Sequence, residues 1–266
     1  MKQIMIAILL TSMVGTIANA QKTITSWNKN QVIAHRGAWK AKNLPENSIA
    51  ALKHAFALNC HGSEFDVHLT LDSVIVVNHD PTFLGINISK STYKQLLAKK
   101  LANGESIPTL ENYLKTGMKQ KKTKLILEIK PQNLGKERDM VLTQKVLEMV
   151  RKLKAQAWVE YISFGYDICE YIIKNEPKAK VAYLTGNVEP EKMKADGFTG
   201  VDYHFSVYQK NADYIARFKK LGLTINGWTA NLPAEIDFLI ANQVDYITTN
   251  EPELVFELLK KQHDEK

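Results

Sequence analysis

The chain has 266 residues, a formal net charge of +7, and 45% hydrophobic and 24% charged residues. These proportions exclude a disordered, collagenous or coiled-coil chain and leave ample apolar material for one large core. The basic excess sits at 119–124 and at Lys219 and Lys220 without interleaved aromatics. That argues against a nucleic-acid partner, while a mild positive field suits an anionic small molecule.

The first twenty residues form a unit of their own. Lys2 supplies a positive start, residues 4–17 are almost wholly apolar, and Ala18-Asn19-Ala20 ends in a small-x-small pattern. This is the layout of a signal peptide over 1–20. It predicts export to the periplasm or the exterior. A bilayer span needs about 20 apolar residues; this run is shorter and is broken by Thr11, Ser12 and Gly15. No later segment is long and apolar enough for a stable span, so residues 21–266 read as one domain. Cys60 and Cys169 each lie in an apolar helical pattern and are expected as unpaired core thiols, one bridge being the alternative.

From there the chain alternates β-rich runs with amphipathic stretches. The runs are 32–34, 64–67, 124–129, 159–163, 180–184, 201–205, 224–228 and 245–248. Helical patterns cover 48–59, 110–118, 140–154, 166–174, 189–195, 212–221 and 234–241. Such alternation predicts an α/β chain with a parallel sheet, and eight units favour a closed barrel, an open doubly wound sheet being the alternative. The strand-like run 74–78 breaks the rule, because only Leu71-Asp72-Ser73 separates it from the strand ending near Thr70 and a parallel crossover needs a dozen or more residues; 75–77 is read as an extra strand. It is expected to fold back as an antiparallel hairpin, within an insertion of about 71–107 after the second strand.

In a parallel barrel, chemistry gathers at the C-terminal strand ends. The first strand ends in His35-Arg36-Gly37: a proton carrier, a phosphate-shaped fork and a flexible turn. Alone, this tripeptide is equally a surface pair. Pro45-Glu46-Asn47-Ser48 then opens a helix, with Asn47 or Ser48 as cap and free N–H groups that favour anions. In Glu64-Phe65-Asp66-Val67-His68, the strand period puts Glu64, Asp66 and His68 on one face. Two inward carboxylates repel each other and lose hydration unless a cation compensates, and a hard ion such as calcium or magnesium suits them. A wet edge strand is the alternative. The hairpin returns His79 toward this face, giving a histidine pair suited to proton transfer. Glu128 and Lys130 share a face at the end of their strand; Glu128 would complete a three-carboxylate site and Lys130 would neutralise phosphate. Trp228 is either a wall of the pocket or core packing.

In order and spacing, these residues resemble the glycerophosphodiester phosphodiesterase family. The match runs through His35-Arg36-Gly37, Pro45-Glu46-Asn47-Ser48, Glu64-x-Asp66, His79-Asp80, Ile107-Pro108-Thr109-Leu110 and Leu127-Glu128-Ile129-Lys130. It continues through Ser163-Phe164 and Trp228-Thr229-x-Asn231 to Ile247-Thr248-Thr249-Asn250-Glu251-Pro252. The resemblance implies a (β/α)8 barrel of the TIM type that hydrolyses glycerophosphodiesters to glycerol 3-phosphate and an alcohol. It implies one Ca2+ or Mg2+ held by Glu64, Asp66 and Glu128, His35 and His79 as acid–base pair, and Arg36 and Lys130 as phosphate ligands. Trp228 would line the glycerol side. Attack by the neighbouring glycerol hydroxyl, giving a cyclic phosphate that water opens, is the implied route. Two departures stand out. Residues 82–87 lack the usual basic residue and Thr-Gly-rich turn, and Asn250 stands where aspartate is more usual.

Two rival readings follow. One is phospholipase D-like hydrolysis of lysophospholipids or sphingolipids, for which Phe83, Leu84 and Ile86 would supply an apolar rim. The other is an exported barrel without catalysis that binds phosphorylated headgroups. The presence of all five metal and acid–base residues speaks against the latter.

Overall fold

Which way each strand faces follows from its two-residue period. In the computed structural model, which describes residues 26–264, β1 (Val32–Ala34) leads through helix α1 (Ile49–Ala57) to β2 (Gly62–Leu69). Three short strands follow, β3 (Ile75–Val77), β4 (Thr82–Phe83) and β5 (Ile86–Asn87), then helices α2 (Tyr93–Leu96) and α3 (Leu110–Gly117). Regular alternation resumes with β6 (Lys124–Ile129), α4 (Lys136–Leu153), β7 (Val159–Ser163), α5 (Tyr166–Asn175), β8 (Val181–Tyr183) and α6 (Pro190–Ala195). The chain closes with β9 (Gly200–His204), α7 (Phe205–Lys210), α8 (Tyr214–Lys220), β10 (Thr224–Trp228), α9 (Pro233–Ala241), β11 (Tyr246–Thr249) and α10 (Pro252–Asp264).

Strands β1, β2 and β6 to β11 pair in parallel, and β1 pairs with both β2 and β11, so the sheet closes into an eight-stranded barrel. Outward residues such as Leu125, Leu127 and Ile129 join the large core beneath the helices. The inward alternates Ile33, Ile126, Ile162 and Leu184 form a separate apolar cluster inside the barrel. The same alternation leaves Glu64, Asp66, Glu128, Asp202, Asn226 and Thr248 on the inner side, all nearly inaccessible to solvent. Both cysteines are buried and free. No helix among the described residues is long and apolar enough to cross a membrane. The leader pattern of 1–20 lies outside the described residues.

Strand β3 runs antiparallel on β2, Leu69 facing Ile75 and Val67 facing Val77. This partner carries β2 beyond the barrel rim, which is why β2 is longer than its sequence pattern predicts. Beyond β3, the two-residue strands β4 and β5 turn at Leu84 and Gly85, both at positive φ. Strands this short show no period, and the sequence gives no sign of them. The segment has its own core of Val76, Phe83, Ile88, Leu96 and Ile107. That corrects the expected apolar rim: Phe83 is 2% exposed and Ile86 half-buried, leaving only Leu84 in solvent.

The turn after β1 holds the first helix close. Gly37 has φ +81°, and a Cβ there would lie 2.7 Å from Ala51 Cβ and 2.8 Å from its carbonyl carbon. Gly37→Ala is therefore expected to destabilise the fold by on the order of 2 kcal/mol or more, through both strain and overlap. Chemical denaturation would measure it, and an unchanged midpoint would show that α1 yields freely.

Candidate active site

Two adjacent strands bring the acidic groups together. Asp66 on β2 and Glu128 on β6 are register partners, and Glu64 precedes Asp66 by one strand period. Glu64, Asp66 and Glu128 each offer one oxygen such that all three lie within 4.8 Å of one another. One ammonium stands among them: Lys130 Nζ is 3.1 Å from Asp66 Oδ1 and 2.9 Å from Glu128 Oε1. Glu64 Oε1 has no hydrogen-bond partner, and apart from the Lys130 ion pairs neither do Asp66 Oδ1 and Glu128 Oε1. Burial, then the neighbouring carboxylates, pushes Glu64 well above the usual range. Glu128 is raised by burial and by Asp66, against the pull of Lys130. Burial also opposes charge on Asp66, but Lys130, His79 and Asn47 hold it below its ordinary value. Three acids that cannot all ionise beside one lysine, with oxygens left over, fit a hard divalent cation well.

The backbone around the acids is specialised to hold them. Arg36 and Asn47 both adopt positive φ, and the Asn47 N–H donates to the Arg36 carbonyl at 2.9 Å. The Arg36 N–H donates to Glu64 Oε2 at 2.7 Å, while its guanidinium pairs with Glu46 at 2.7 Å. Asn47 clamps Asp66 twice, its amide donating to Oδ2 at 2.8 Å and its carbonyl accepting from the Asp66 N–H at 3.2 Å. Of the two cap candidates, Ser48 is the one that caps α1. The N–H groups expected to attract an anion are already filled, because Ile49 and Ala50 donate to the Glu105 carboxylate at 2.9 and 3.1 Å. The segment between β5 and α3 brings its own anion to the helix start, a long-range contact that no local pattern discloses.

Both histidines line the same pocket, and each is held through Nδ1. His35 Nδ1 is 2.8 Å from Asn250 Oδ1, and its Nε2 is 4.0 Å from Glu64 Oε2. Burial, helped by Arg36, lowers the His35 pKa to about 4, so the ring is neutral at physiological pH. His79 Nδ1 is 2.8 Å from Asp80 Oδ1. His79 is delivered by β3, whose exit is tied by Asn78 N–H donating to the Asp66 carbonyl. His68 contacts the His79 carbonyl through Nε2 at 3.0 Å, and Gln132 lies 3.4 Å from its other nitrogen. The sequence reading missed Asn250 and Gln132 as positioning groups and took Asn47 for a simple cap. The pairing of β1 with β11 through barrel closure is what brings Asn250 to His35.

The pocket at the barrel mouth has a volume of about 110 Å3. Arg36 and Lys130 also line it, so all eight residues singled out by sequence lie together except Asp66, which is just behind. Trp228 belongs to the wall: its ring meets Phe164 edge-on at 5.5 Å, and its Nε1–H donates to the Asp202 carbonyl at 2.8 Å. Larger hollows of about 440 and 370 Å3 lie beside Lys124 and Glu160 and beside Ile75 and Lys145. Neither contains the acidic triad.

One pocket residue was not anticipated. Asp202 is 2% exposed, its Oδ1 has no partner, and burial pushes its carboxyl up to about 7. A folded-state pKa above the unfolded value means the native protein binds the extra proton, so stability falls as pH rises from about 4 to 7. Asp202→Asn is expected to be more stable than the parent at pH 8, by on the order of 3 kcal/mol, with the gap closing toward pH 4. Urea melts across that range would show it, and a pH-independent gap would contradict the cause.

A profile of the Glycerophosphoryl diester phosphodiesterase family matches residues 35–254. A solved glycerophosphodiester phosphodiesterase from Parabacteroides distasonis is 41% identical, with a TM-score of 0.85 over 89% of this chain and 99% of that one. A glycerophosphodiester phosphodiesterase of Caldanaerobacter subterraneus is 28% identical over 88% of this chain and 99% of its own length. An Oleispira antarctica phosphodiesterase, solved in complex with its product sn-glycerol-3-phosphate, shares the fold. It is 22% identical, with a TM-score of 0.74 over 87% of this chain and 97% of that one.

Proposed function

We propose that this chain, which belongs to the glycerophosphoryl diester phosphodiesterase family, cleaves its substrates with a carboxylate-bound divalent cation and the histidine pair His35 and His79. Hydrolysis of glycerophosphodiesters is the family's reaction, and the chain is an enzyme of that class. The observation that carries the mechanism is the meeting, in and just behind one pocket, of three buried under-partnered carboxylates with two histidines held by Nδ1.

Glu64, Asp66 and Glu128 would hold Ca2+ or Mg2+, which supplies Lewis-acid polarisation of the phosphoryl oxygens. Lys130 and Arg36 place positive charge where the phosphate sits. Neutral His35, its Nδ1 committed to Asn250, leaves the Nε2 lone pair to take a proton from the glycerol hydroxyl next to the phosphate. That oxygen bonds to phosphorus as the bond to the alcohol oxygen breaks, and His79, beside Asp80, protonates the leaving oxygen. Water then opens the cyclic phosphate with the proton carriers in reversed roles, releasing glycerol 3-phosphate. The wall of Phe164 and Trp228 would face the glycerol carbons. The product bound by the Oleispira enzyme is the one this route yields. An exported setting is our reading of the leader pattern alone.

Glycerophosphocholine turnover by the mature protein is expected to fall at least about 100-fold in excess chelator and to return with Ca2+ or Mg2+. Glu64→Ala should stay silent whatever the metal. Full turnover in chelator would remove the cation from the mechanism. Replacing either histidine by alanine should cost about 10²–10⁴ in kcat. Asn250→Leu should cost less, roughly tenfold, and leave KM almost unchanged, because it loosens the His35 ring without deleting it. Turnover of lysophospholipid in place of the soluble diester would favour the lipid reading.

A further inference from the structure

The mouth pocket has a polar floor that the mechanism above does not use. Asp202 on β9 and Asn226 on β10 are register partners, and both point into the barrel. The Asn226 amide donates to the Thr248 hydroxyl at 2.8 Å, which leaves Asn226 Oδ1 without a partner. Asp202 Oδ1 is also unpartnered, although Asp202 is almost wholly buried and the Asn226 side chain next to it favours its charged form. Asp202 and Thr248 line the same small cavity as the histidines and acids, across from the charged end. Between the two ends lie Ile162, Leu184 and Trp228. An unpartnered buried carboxyl oxygen at the inner end of the chamber is costly to leave unmatched and calls for a hydrogen-bond partner.

We propose that Asp202 is a specificity residue that hydrogen-bonds the terminal hydroxyl of the substrate's glycerol unit, the one neither esterified nor next to the phosphate. This rests on the reading of the substrate given above. With the phosphate held by Arg36 and Lys130 at the rim, the three-carbon chain runs down past the apolar wall and its far hydroxyl meets the floor. A hydroxyl suits the floor better than an ammonium, because burial drives Asp202 toward its uncharged form. A neutral carboxyl and a hydroxyl can each both donate and accept, so one contact satisfies both groups. A site built to bind a hydroxyl rejects an analogue that lacks it far more strongly than an apolar pocket rejects one carbon more or less.

The test compares glycerophosphocholine with 2-hydroxypropyl phosphocholine, which keeps the attacking hydroxyl and lacks the terminal one. The metal-loaded parent, Asp202→Asn and Asp202→Leu are assayed on both, with thermal melts confirming that each variant is folded. The parent should prefer the glycerol compound by about 100-fold in kcat/KM. Asp202→Leu should bring that preference to within about threefold by losing the glycerol compound alone, and Asp202→Asn should retain an intermediate share. A merely structural role would shift the melts and leave the ratio unchanged, and a folded Asp202→Leu with the parental ratio overturns the inference. So does a parent that treats both compounds alike. A parent inactive on both with either metal would instead remove the substrate reading itself, and this inference with it.

Discussion

Three carboxylates and one ammonium share the inner face of two neighbouring strands, and the rest of the site is arranged around that imbalance. Fully ionised, the acids would outnumber Lys130 three to one in a place with almost no water. Each uncompensated buried charge costs several kcal/mol. The repelling groups therefore sit on the most firmly paired part of the barrel: β2 and β6 pair over six residues, whereas β1 and β2 pair over two. A bound cation would convert that repulsion into binding energy, so any affinity for metal would come from the same arrangement that strains the acids.

Around the acids, backbone is used as much as side chain. Left-handed conformations at Arg36 and Asn47 are uncommon for such residues, and they direct one N–H at Glu64 and a whole amide at Asp66. The histidines are held in the same manner, each by a single contact to Nδ1. His68, which shares a strand face with the acids, grips the backbone of His79 and works through it. Ring orientation, and which nitrogen is left free of the Nδ1 contact, thus come from neighbouring residues.

The pocket is divided by polarity. Its charged end is built by the loops and strand ends of β1, β2, β3 and β6, and its apolar wall by β7, β8 and β10. A phosphodiester has the same division, with its charge on the non-bridging phosphoryl oxygens and its carbons beyond.

Much of this was legible in residue order. The period of two put Glu64 with Asp66 and Glu128 with Lys130, and the three-residue gap before Val74 forced the hairpin that returns His79. Those inferences hold because strand alternation and turn length are local properties. What closure and packing decided lay beyond reach: Asn250 beside His35, Glu105 at the start of α1, Phe83 turned inward, and Asp202 at the pocket floor. Each of these joins residues distant in sequence or depends on which side of a short strand is covered. Which residue types could carry the chemistry, and on which face of each strand, was determined by the sequence alone. Which partner each would meet was decided only when β1 closed on β11, because a contact between distant segments has no signature in either one.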